Sequence, residues 1–121
     1  MSNGTDDPLV PFQGKLMGTG YGLLSVPNTL EFRATVNICQ SALITWRLPH
    51  AVPDDGTTVH VVSRPNPDGS VKVRAYIIEH GGHTSPGVPT GLEWARIAGK
   101  TTMALRATDA MWDFFARHPK P

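Results

Sequence analysis

Apolar residues recur at two different periods along this chain, and the change of period divides it into elements. Val26, Leu30, Ala34 and Ile38 stand four apart, the spacing that lines one face of a helix. Ser25 precedes them as an N-cap and Pro27 is tolerated in a first turn, so a helix is predicted over about residues 26–39. Further on the period becomes two. "TTVHVVSR" and "VKVRAYIIE" are rich in β-branched residues and flank Pro67-Asp68-Gly69. Proline presets φ there, and glycine accepts the left-handed position that closes a hairpin. Strands are predicted over about 57–64 and 71–79. The second puts Val71, Val73 and Ala75 on one face, then turns continuously apolar through Tyr76-Ile77-Ile78, as a strand entering a buried sheet does. Ala104, Ala107 or Thr108, Met111 and Phe115 form a last stripe, widened by Trp112 and stopped by Pro119. A closing helix is predicted over about 102–118.

The intervening stretches read as loop. Residues 1–24 carry "NGTDDP" and "GKLMGTGYG", residues 40–56 carry Pro49, Pro53 and "DDG", and residues 84–100 carry Pro86, Pro89 and several glycines. The order is loop, helix, hairpin, loop, helix. That is the texture of an α/β protein, yet one hairpin and two amphipathic helices have more apolar faces than they can cover among themselves. No strand is predicted ahead of the first loop. The expectation is the last portion of a larger α/β domain, with an incomplete sheet.

Composition narrows the classes. A length of 121 residues favours one domain or part of one, and 40% hydrophobic with 17% charged residues is globular. A net charge of +1 gives no electrostatic case for nucleic acid or an anionic membrane, and no apolar run is long enough to span a bilayer. The opening "MSNGTDDPLVP" lacks the basic and apolar regions of a signal peptide. Cys39 is the one cysteine, so no disulfide forms within these residues. It reads as a small packed side chain at a helix end rather than a nucleophile. Trp112, Phe114 and Phe115 read as core of the last helix. Trp46 and Trp94 fall in irregular segments and could line a substrate cleft, although packing or partial exposure is the commoner reading, and His50, His60 and His118 have no partner pattern.

The chemical candidates are Asp6, Asp7, His80 and His83, because two loops present acids and histidines away from any apolar period. The stretch "EHGGHTSPG" delivers His83 just past a strand, where open α/β sheets assemble their sites. A general base needs an imidazole that titrates near neutrality and a carboxylate to fix its tautomer, and Asp7 with His83 can form such a pair. Spacing alone leaves other readings open. Asp7 can cap a turn while His83 is a plain loop residue, or His80 and His83 with an aspartate can form a two-histidine, one-carboxylate metal set.

Four stretches, in order, resemble one family. "NGTDDPLVPFQG" is similar to the acid-bearing loop of α/β-hydrolases of the polyhydroxybutyrate depolymerase and feruloyl esterase group, and "LSVPNTLEFRATVNIC" to its following helix. "IEHGGHTSPG" resembles its histidine loop, and "ATDAMWDFFARHPKP" its closing helix. The resemblance implies Asp7 as triad acid and His83 as general base. It implies a polyester or an acylated or feruloylated polysaccharide as substrate, and neither metal nor organic cofactor. Family members are often secreted or periplasmic, and nothing in these residues directs export.

The departures shape the expectation. No serine here stands in the G-x-S-x-G elbow that a serine esterase needs. The family's order of nucleophile, acid and base places that elbow upstream of Met1, with the oxyanion donors and the strand that should present Asp7. Lys15 stands in place of a second glycine and Ser85 in place of an aromatic residue, while Cys39 matches a position often paired with another cysteine. Residues 1–121 are thus expected to be a single partial α/β-hydrolase domain, inactive alone. It would pair with a nucleophile-bearing N-terminal half or self-associate. The rival expectation is a non-catalytic binding or complementing subunit on the same scaffold.

Overall fold

A computed structural model describes residues 1–16, 18 and 20–119 of the chain. Met17 and Thr19 of the expected first loop, and Lys120 and Pro121 of the closing stretch, lie outside the described residues. The architecture is mixed α/β. A four-stranded sheet has the order β1-β6-β5-β4, formed by Ser2–Gly4, Val71–Glu79, Thr58–Pro65 and Ile44–Arg47. β1 runs parallel to β6, while β6, β5 and β4 are antiparallel neighbours. Lys15–Leu16 (β2) and Gly22–Leu23 (β3) pair as a separate short ribbon. The helices are Val26–Val36 (α1), Leu92–Ala98 (α2) and Ala107–Ala116 (α3).

The hairpin forms for the reasons visible in its sequence. Pro67 opens the turn, Gly69 takes φ +81°, and the Asp68 carboxylate accepts from the Ser70 amide at 2.8 Å. Alternation along β6 then feeds two layers. Val73 and Ala75 pack with Leu30 of α1, whereas Ile78 packs with Val59 and Leu105 on the other side. Odd and even positions of a strand point to opposite faces, so α1 and α3 cover opposite faces of the sheet. Arg64, 7% exposed, ties α1 to β5 through Glu31 and donates to the Ser41 carbonyl at 2.6 Å.

The ends of α1 show where the apolar stripe stops. Ser25 caps it, accepting from the Asn28 amide at 3.2 Å, and Val26, Leu30 and Ala34 are buried. The helix ends at Val36, short of the expected residue 39, because Ile38 turns to φ +55°. The Cys39 amide then bonds back to the Ala34 carbonyl at 2.9 Å, which is a Schellman closure with isoleucine where glycine usually stands. Ile38 is 78% exposed and leaves the stripe. Cys39 packs, half-buried, against the Leu30 cluster.

Several expectations need correction. The first loop begins with a strand: β1 pairs in register with Tyr76–Ile78, so the strand that presents Asp7 lies within this sequence, not ahead of it. Tertiary pairing overrides the weak β propensity of Ser-Asn-Gly. Ile44–Arg47 forms β4 inside the segment expected to be irregular, and Leu92–Ala98 forms α2 inside an expected loop. Both are short, and their flanking prolines and glycines hide their periods. The last helix starts at Ala107, five residues late, and its aromatic stripe is not core. Met111, Trp112 and Phe115 are 54%, 74% and 62% exposed. Leu105 and Ala110 make the contact with the sheet instead.

Candidate active site

Two loops leave the same rim of the sheet, one after β1 and one after β6. The parallel pairing continues past the strands, with the Thr5 amide donating to the Ile78 carbonyl at 2.9 Å and the Asp6 amide to the Gly81 carbonyl at 3.0 Å. This zipper carries Asp7 to His83. Their Oδ2 and Nδ1 lie 2.9 Å apart.

The carboxylate divides its work. Oδ1 accepts from the Leu9 amide at 2.8 Å and the Val10 amide at 2.7 Å, an Asx turn folded over Pro8. Oδ2 is left for the imidazole. Burial pushes the Asp7 carboxyl up, but the Val10 amide, His83 and the Leu9 amide together outweigh it, and the pKa lies below the ordinary carboxylate value. An ionised carboxylate only accepts, so Nδ1 of His83 is the donor in this contact, and in the neutral ring that leaves the lone pair on Nε2. The Asp7 side chain is 6% exposed and that of His83 45%, so the acid is sequestered while the base reaches solvent. Among the described residues Nε2 has no hydrogen-bond partner.

The histidine loop is gripped from behind by the strap that follows α2. The His83 amide donates to the Ala98 carbonyl at 2.6 Å, and the Gly82 amide to the Lys100 carbonyl at 2.8 Å. A Cβ on residue 82 would overlap the Ala98 carbonyl oxygen, so glycine is required there for close approach. Neither Gly81 nor Gly82 takes a positive φ. The left-handed residue of this loop is His80, at φ +60°.

His80 does not join His83. Its Nδ1 lies 3.4 Å from Asp6 Oδ2, and its amide donates to Thr5 Oγ1 at 2.9 Å. The Thr5 hydroxyl donates in turn to Asp6 Oδ1 at 2.8 Å and, as the largest influence, holds that carboxyl below its ordinary value. The two histidines thus face separate aspartates. Among the described residues no three His, Cys, Asp or Glu side chains form a metal-holding group, which leaves the two-histidine, one-carboxylate set unassembled.

A cleft of about 350 Å³ opens beside the pair, lined by Asp7, Val10, Ile78, His83, Ser85 and Trp94 among others. Trp94 sits on α2, half exposed, and supplies the aromatic wall. Its segment gives no helical period, so the sequence offered cleft lining for Trp94 only as the lesser alternative to packing or partial exposure. Ser85 lines the same cleft with a small side chain. Trp46 lies away from it, on β4, with the Arg74 guanidinium 5.3 Å from its ring centroid. His60 pairs with Glu79 at 3.2 Å, and His118 stacks on Phe114 with centroids 4.3 Å apart. The arrangement can accept a proton at Nε2, stabilise the resulting imidazolium through a buried carboxylate, and return the proton to a leaving group in the cleft. Comparison with protein-family models, with curated proteins and with solved structures finds no match to this chain.

Proposed function

We propose that this chain supplies the acid and base of a serine carboxylic-ester hydrolase, as the C-terminal part of an α/β-hydrolase domain of the depolymerase and feruloyl esterase type. The observation that carries the reading is the Asp7–His83 pair, with one carboxylate oxygen fixed by backbone amides and the other by Nδ1. His83 Nε2 takes the proton of a serine hydroxyl as that oxygen attacks the ester carbonyl. Asp7 holds the ring and stabilises the imidazolium, which then protonates the departing alkoxide. Water, deprotonated by the same nitrogen, releases the acid and regenerates the serine. The ester is a polyester or an acylated or feruloylated polysaccharide, as the resemblance implies, and no step calls for a metal or organic cofactor.

None of the serines here stands in a G-x-S-x-G elbow, so this reading requires a serine from another polypeptide segment. Two features support a docking place for it. Met1 and Thr5 direct their backbone groups to β6, which leaves the N–H and C=O groups of Ser2 and Gly4 along the outer edge of β1. A groove of about 440 Å³ passes that edge, from Thr29 and Arg33 of α1 round to Met111 and Phe115 of α3. The same features favour a second reading, a complementing subunit that lends its scaffold without chemistry.

The test separates the two. The chain alone is expected to show no turnover of a p-nitrophenyl ester. Combined with a separate nucleophile-bearing G-x-S-x-G segment of the same hydrolase type, it should turn over the ester, and His83→Ala or Asp7→Asn should each lower kcat by roughly 10³-fold or more. Turnover indifferent to both substitutions leaves only the complementing subunit standing.

A further inference from the structure

His80 occupies a costly position. The Gly81 amide donates to the Ile78 carbonyl at 3.1 Å, closing a turn over residues 78–81 whose third residue is His80 at φ +60°. That position of such a turn favours glycine or asparagine, and a side chain held there persists only where its surroundings over-determine it. Two glycines follow immediately, so glycine was available to this loop. What determines His80 is contact on both of its polar ends. Its amide donates to Thr5 Oγ1 at 2.9 Å, and its Nδ1 faces Asp6 Oδ2 at 3.4 Å, while the Thr5 hydroxyl donates to Asp6 Oδ1 at 2.8 Å. The three side chains form a closed ring of polar contacts between the acid loop and the base loop. Asp7 is the next residue on one loop, and His83 stands three residues on in the other.

We infer that Thr5, Asp6 and His80 form a bracket that sets the separation of the two loops, and hence the register of Asp7 against His83. They are positioning residues, since none of them lines the cleft. The inference rests on the reading of Asp7 and His83 as an acid–base pair. Thr5 is the keystone because its hydroxyl is donor to one loop and acceptor from the other at once. Valine has the same shape and can do neither; serine can do both.

The experiment uses the 121-residue chain and reads the imidazoles by ¹⁵N-resolved NMR. In the wild type, His83 should be the Nδ1–H tautomer at neutral pH, with a downfield Nδ1 proton slow to exchange. Thr5→Val should speed exchange of that proton by roughly tenfold and mix the tautomers, as the loss of two ordinary hydrogen bonds permits. Thr5→Ser should restore it, and His80→Gly should loosen it while raising thermal stability by relieving the turn. Methyl dispersion and far-ultraviolet circular dichroism should stay unchanged in all three, which separates lost positioning from lost folding. An unchanged His83 signal in Thr5→Val overturns the bracket; so does a Thr5→Ser variant as loose as Thr5→Val. Asp7→Asn is the control for the pair itself. If it leaves the wild-type His83 tautomer unmoved, the acid–base reading fails first, and the bracket has nothing to position.

Discussion

Asp7 is the residue on which the proposed chemistry turns, and its position follows from three neighbours. Pro8 biases the residue before it toward extended backbone, and the amides of Leu9 and Val10 then close on one carboxylate oxygen. The second oxygen has nowhere better to go than His83. Because the folded pKa is depressed, the carboxylate contributes stability fully above the unfolded value of about 4 and loses it as pH falls through the folded value. Asp7→Asn keeps the turn contacts and forfeits the charge. It should therefore be less stable than wild type by about 1 kcal/mol at pH 6, and the gap should close as both are acidified below about pH 4. Urea denaturation at several pH values measures this, and a gap that widens on acidification contradicts it. At this scale the sequence was informative: Asp-Pro and Gly-Gly-His mark the two ends of the contact. His80 was not legible, since nothing in residue types announces that a histidine will take the left-handed place beside two glycines.

Elements divide by how much of their order is local. The 58–79 hairpin and the cap of α1 were legible because their causes are local: a Pro-Asp-Gly turn, a serine before an apolar stripe. β1 and β4 were not, because each owes its form to what it touches, and α2 was not, because the prolines and glycines around it hide a seven-residue period. Ser2–Gly4 is a strand only because β6 lies alongside, and Ile44–Arg47 because β5 does. The end of α1 carries a prediction of its own. Ile38 at φ +55° is a β-branched residue in the region it tolerates least, and at 78% exposure it contributes little burial. Ile38→Gly should relieve more strain than it adds in unfolded-state entropy, a gain of about 1 kcal/mol and a rise of about 4 °C in Tm. Scanning calorimetry decides; a fall in Tm means that Ile38 makes contacts worth more than its backbone costs.

For the whole molecule, surface is the telling quantity. The chain has 8101 Å² of accessible surface, whereas a compact monomer of 13.1 kDa is expected to show about 6,400 Å². The excess, roughly 1,700 Å² on this one chain, is about twice the 800 Å² that each partner of a standard interface buries and reaches the range of obligate assemblies. Much of it is apolar, including the exposed faces of Met111, Trp112 and Phe115, which apolar periodicity alone assigned to a core. Periodicity reports that a face wants cover; it does not report whether these residues supply it. Sedimentation velocity on the purified chain should show concentration-dependent association. Ser2→Pro removes an edge donor without touching a β1–β6 hydrogen bond, and should weaken that association by about tenfold while the fold persists. A strictly monomeric, cooperatively melting species at all concentrations contradicts this.

The main chain of His83 hangs from the carbonyl that finishes α2, and α2 holds the indole of Trp94 at the cleft. The aromatic wall and the main chain of His83 therefore rest on the same short helix. On the proposed reading, whatever displaces α2 bears on both, so the fit of a guest against the indole and the seating of the imidazole on its carboxylate share one support.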